Sequence, residues 1–188
     1  MCEEDRTTAG AAAALQECAA LWSVGEIRSA GVVAAACSAL VAGLDSPGLR
    51  VLAARTASEA DYEVPELPPV ALAELGLVFY PVASPAGREA ATRALARRLL
   101  AGGLTAREFT RRLHRRDGHE LPLTERLAEL DDAYDILEYG DSTAAQVDAE
   151  VLAEARRLAT LPDAPADYPD PPARVRARTG AGSVRRRR

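Results

Sequence analysis

Apolar residues recur along this chain at intervals of three and four, which places them on one face of an α-helix, and almost nowhere at the alternate positions of a strand. Residues 11 to 22 form a first such segment ending near Trp22, and SAGVVAAACSALVAG a second, from about Ser29 to a stop at Gly43. Ser46 before Pro47 sets an N-cap ahead of a proline at the first helical position, so a short helix is expected through Arg55. ELPPVALAELG predicts another, closed by Gly76. After SPAG, residues 86 to 101 put Ala91, Leu95 and Leu99 on one line and Arg93, Arg97 and Arg98 off it, an amphipathic helix with a basic outer face that Gly102 and Gly103 end. The one β-like run, LGLVFYPV at 75 to 82, is short enough to be a connector.

The clearest start lies at Thr105. With Glu108 three residues on it makes a capping box, and Leu104 and Phe109 occupy the positions of a hydrophobic staple. That helix is expected to run to about Arg116 and to break at DGHELP. In LTERLAELDDAYDILEYGD, residues 123 to 141, Thr124 is the expected cap, and Glu125 stands in the first turn, where the helix dipole favours negative charge. Leu127, Leu130, Tyr134 and Leu137 form a narrow inward seam, and Gly140 is the stop. VDAEVLAEARRLATL makes the last helix, apolar at Val151, Leu152, Ala155, Leu158 and Ala159. The fold class read from these patterns is all-α, a bundle of about six to eight helices in one domain over residues 1–161. The remainder, 162–188, is rich in Pro, Gly and Arg with almost nothing to bury and is expected to be a disordered basic tail.

Composition sharpens this in two ways. All 23 basic residues are arginine, which with the abundant alanine fits the codon usage of a GC-rich bacterial genome. The net charge of −5 divides into −9 for the body and +4 for the tail from Pro162, so the two carry opposite signs. Cys2, Cys18 and Cys37 form no CxxC pair, which disfavours a zinc site or disulfide framework and leaves reduced thiols, Cys37 packed in an alanine-rich helix. The N-terminus begins with acids where a signal peptide needs positive charge, and no run of about 20 apolar residues could span a bilayer. A cytoplasmic protein with no membrane partner is expected.

Three chemical readings compete for the acidic segment. DDAYD matches the DDxxD metal-binding pattern of helical prenyl and terpene synthases. At about 100° per residue, Asp131 and Asp135 lie roughly 40° apart with Asp132 about 60° further round, so three carboxylates could face one Mg²⁺ cluster. No second motif faces it at the right spacing, however, and the three aspartates are expected to point away from the seam toward water. The second reading is a solvated face. The third is a docking surface, suggested because like charges at i,i+4, such as Asp131 with Asp135, cost a few tenths of a kcal/mol that a basic partner would offset. Against all three stands REFTRRLHRR, where Arg107, Arg111, Arg112, Arg115 and Arg116 offer an alternative nucleic-acid face, aided by the tail. His114 and His119 read as solvated or capping residues, since two ligands with no third give no closed site. No catalytic constellation stands out, and neither a cofactor nor a metal is expected.

Taken in order, LARRLLAGGLTAREFTRRLHRR, ELDDAYDILEYG and VDAEVLAEARRL resemble the small helical immunity proteins of the colicin D immunity type and their relatives in bacterial toxin systems. The resemblance covers about residues 93 to 158. It implies a non-enzymatic protein that neutralises a cognate basic nuclease toxin, as in toxin–antitoxin pairs, by laying an acidic helix over its active-site groove with carboxylates in place of nucleic-acid phosphates. It implies a partner-binding set of Asp131, Asp132, Tyr134, Asp135, Glu138, Tyr139 and Asp141. The alternative is a nucleic-acid-associated helical regulator acting through the arginine face and the tail.

Overall fold

The computed structural model describes residues 3–56, 66–140 and 142–162. Of the expectations above, Cys2, Asp141 and the tail beyond Pro162 lie outside the described residues. Eight α-helices are found among the described residues, and no strand: α1 (Glu3–Ser23), α2 (Ser29–Val41), α3 (Pro47–Ala53), α4 (Pro68–Glu74), α5 (Pro85–Leu100), α6 (Ala106–Asp117), α7 (Glu125–Asp135) and α8 (Ala144–Thr160). A 3-10 turn, Leu137–Tyr139, follows α7. The run at 75 to 82 is a connector, as its length suggested. The all-α bundle is therefore the architecture.

Local chemistry sets the boundaries. Ser46 accepts from the Leu49 N–H ahead of Pro47, and Ser84 does the same for Gly87 ahead of Pro85. Thr105 and Glu108 complete both halves of the expected capping box. A second box at Thr143 and Gln146 opens α8 earlier than the sequence reading began it. Thr124 does not cap α7: its own backbone is in the helical region and its hydroxyl donates to the Leu121 carbonyl instead. Helix α1 also begins earlier than expected, at Glu3.

Two main apolar clusters share α1. Leu15 and Ala19 pack with Val32, Ala36, Leu49, Leu52, Ala71 and Leu72 of α2 to α4. One turn on, Leu21 joins Leu95, Leu99, Phe109, Leu113, Leu127, Leu130, Val151, Ala155 and Leu158 of α5 to α8. Ionic contacts cross the same boundary: Arg97 of α5 bonds Glu17 of α1, while Arg112 and Arg116 of α6 reach Glu26 at 3.5 and 3.7 Å. Arg93 corrects the expected basic outer face of α5. It is buried, with Glu89 3.6 Å away, because α1 and α8 both pack against this helix. Leu137 and Leu152, expected in the core, are only partly buried. Cys37 is likewise not packed inside but exposed on α2, its thiol 3.4 Å from the Ala53 carbonyl.

Candidate functional site

Helices α6 and α7 run back on each other through the turn at Gly118, whose φ of +55° is a conformation side-chain-bearing residues rarely adopt. Phe109 and Leu113 on α6 meet the Leu127, Leu130 and Tyr134 seam of α7 in one cluster. This packing decides where each carboxylate of the acidic segment goes, because α6 covers a flank of α7 that the seam alone does not define.

Asp131 does not point to water. Its side chain is 15 % exposed, accepts from the buried Thr110 hydroxyl at 3.0 Å and lies 3.1 Å from Nδ1 of His114. Tyr134 is also a structural residue rather than a free contact: the ring is buried and its hydroxyl donates to Asp148 of α8. Burial first, and then that hydrogen bond, push the phenol well above its ordinary range. The Arg107 guanidinium sits 5.3 Å from the centre of the same ring and bonds Asp135 at 3.0 Å. Asp131, Asp132 and Asp135 thus do not converge on one magnesium cluster, as the DDxxD reading would need; Asp131 turns to Thr110, Asp135 to Arg107 and Asp132 to the histidines. Arg126 neutralises part of the segment, bonding Glu129 at 2.7 Å and Glu150 of α8 at 2.6 Å.

What remains open to solvent is the C-terminal edge. Asp135 and Glu138 are exposed there together with two apolar residues, Ile136 at 60 % and Tyr139 at 83 %. The Tyr139 hydroxyl donates to Glu138, which raises its ionisation above the usual phenol range. Glu125 stands exposed at the opposite end of α7. Of the expected partner-binding set, Asp132, Asp135, Glu138 and Tyr139 are accessible, whereas Asp131 and Tyr134 are engaged inside the fold.

The arginine face is divided too. Arg107 is held by Asp135, Arg112 faces Glu26, and Arg116 is turned inward, bonding Asp117 at 2.7 Å and the Thr92 hydroxyl at 2.7 Å. Only Arg111 and Arg115 of the five are exposed with no ion pair among the described residues. Elsewhere, an open groove of about 540 Å³ runs along α1 past Gln16, Glu17, Tyr80 and Arg97, and holds none of the expected partner-binding or nucleic-acid residues. The two histidines are not isolated, contrary to the reading of them as a pair without a third group. Their ring centres are 5.2 Å apart, and Asp132 lies beside both. Comparison of the chain with protein-family models, with curated proteins and with solved structures yields no match.

Proposed function

We propose that this protein is a non-enzymatic cytoplasmic binding protein of the immunity type, which blocks a basic nuclease by docking the C-terminal edge of α7 and the following 3-10 turn on it. The single observation that carries this reading is the exposed pairing of Ile136 and Tyr139 with Asp135 and Glu138. Large accessible aromatic and aliphatic side chains ringed by one sign of charge make an interface core with a steering rim. The Arg107–Asp135 pair does not oppose docking, since both side chains are more than half exposed and such a pair contributes only about 0–1 kcal/mol. A partner arginine can replace it. The nucleic-acid alternative is less well supported because Arg116 is turned inward to Asp117 and Thr92 and Arg112 faces Glu26.

The test is capture of partners from the cells of origin at low salt, with the wild-type chain and with an Asp135→Arg, Glu138→Arg, Tyr139→Ala triple variant. The expected result is a basic nuclease retained by the wild type, inhibited in a cleavage assay, and lost by a variant that melts at the same temperature. A captured nuclease that the triple variant holds and inhibits equally well would remove this edge from the account, and retention of nucleic acid alone would favour the arginine face.

A further inference from the structure

His114 stands in the last turn of α6, His119 follows the Gly118 reversal, and Asp132 lies in α7. One nitrogen of each imidazole and one oxygen of Asp132 all lie within 4.8 Å of one another. The Asp132 carboxylate meets both rings, one oxygen to each: Nε2 of His119 is 3.6 Å from Oδ2, and Nδ1 of His114 is 3.7 Å from Oδ1. Around a tetrahedral zinc ion with bonds of about 2.0–2.1 Å, neighbouring ligand atoms sit about 3.3–3.4 Å apart. The three side chains therefore stand close to a ligating arrangement without a change of backbone.

We propose that His114, His119 and Asp132 form a site for a first-row divalent transition-metal ion, zinc in the first instance, that clasps the α6–α7 turn. Imidazole donors suit zinc, copper and nickel rather than magnesium or calcium, which take oxygen ligands. The Asp131 carboxylate, fixed by Thr110 at 3.0 Å, also sits 3.1 Å from His114 Nδ1, so an ion bound at that nitrogen would take the place of the His114–Asp131 contact and keep a second carboxylate beside it. Two carboxylates, Asp131 and Asp132, balance the ion's charge. His119 at 53 % and Asp132 at 56 % exposure leave one side open, so water completes the coordination and the ion has an entry path. The exposed oxygen-only carboxylates at Asp135 and Glu138 take no part, so this site and the docking edge can fail independently.

The test uses the untagged full chain, stripped with chelator and titrated with zinc by calorimetry and by NMR of the imidazoles. Because the chain holds 2 histidines, both sets of ring signals are assignable at once. The expected result is one equivalent of zinc bound in the micromolar range, both rings shifting together, and a melting temperature that rises with zinc by mass action. His119→Ala and Asp132→Asn, both at exposed positions that folding does not need, should each weaken binding by about 10-fold or more. Asp135→Asn and substitution of magnesium for zinc serve as controls, with no loss and no binding respectively. Absence of saturable binding at sub-millimolar zinc would overturn the proposal and leave only contacts between the two histidines and Asp131 and Asp132. Binding that survives both ligand variants would also overturn it, by placing the ion elsewhere.

Discussion

Tyr134 joins three helices through one side chain: its ring lies in the α6–α8 cluster, its hydroxyl donates to Asp148 of α8, and the Arg107 guanidinium of α6 lies 5.3 Å from its centre. Tyr134→Phe should cost about 1–2 kcal/mol, toward the lower end for a hydrogen bond to a charged group because Asp148 is partly solvated. Thermal or urea unfolding measures it. Since the folded phenol ionises above the ordinary tyrosine range, its contribution is fully present below about pH 10 and is lost as pH rises through the folded value. The stability gap between wild type and Tyr134→Phe should therefore hold from neutral pH to that point and shrink beyond it; a gap already closing at pH 8 would assign the stabilisation to another group. The seam position of Tyr134 was legible from its spacing to Leu127 and Leu130, but the inward turn of Asp131 was not. A helical wheel drawn for α7 alone places Asp131 outside, and only the packing of Thr110 and His114 against that flank turns it in.

Helix boundaries were written most plainly where a side chain competes for a backbone donor. The Thr105–Glu108 box is in the sequence and in the structure. The Thr143–Gln146 box carries the same three-residue spacing, but the apolar repeat begins only at Val147, so periodicity alone starts α8 too late. Thr124 shows the reverse error, a good cap residue in a conformation that cannot cap. Thr105→Ala and Thr143→Ala should each lower stability by about 1 kcal/mol, whereas Thr124→Ala should leave the α7 N-terminus unaffected by cap loss. Hydrogen bonds from the Thr105 backbone N–H and then from its hydroxyl hold the Glu108 carboxyl below the usual range. That contribution is present above the ordinary glutamate pKa of about 4.3 and is lost as pH falls through the lower folded value. The difference in melting temperature between wild type and Glu108→Ala should accordingly narrow between pH 7 and pH 3. Within α6, Phe109→Ala opens a fully buried site and should cost about 3–5 kcal/mol, far more than either cap.

At the scale of the whole molecule, α1 supplies Leu15 and Ala19 to one cluster, Leu21 to the other and Glu17 to Arg97 of α5, while Glu26 in the turn after α1 meets arginines of α6. The two halves are expected to unfold together in one calorimetric transition, and Leu21→Ala should lower it as a whole; two separate transitions would show independent units. Periodicity carried the all-α class well, because each helix buries one stripe. It could not carry the relations between helices: Arg93 lies inside since α1 and α8 both cover its helix, and His114, His119 and Asp132 meet only once the Gly118 reversal closes α6 on α7. The acidic edge itself was legible as a charged segment, but which of its members stay free was decided by Arg107 and Thr110 of α6 and by Arg126 within the segment. The docking account rests on that remaining edge steering a basic partner, and charge steering weakens as salt shortens the screening length from about 10 Å at 0.1 M to about 3 Å at 1 M. The most direct measurement is the association rate between this chain and its captured nuclease across that salt range, for wild type and for Asp135→Arg with Glu138→Arg. The account predicts a rate that falls steeply with salt for the wild type and a slow, nearly salt-independent rate for the double variant; equal rates with the same salt dependence for both proteins would contradict it.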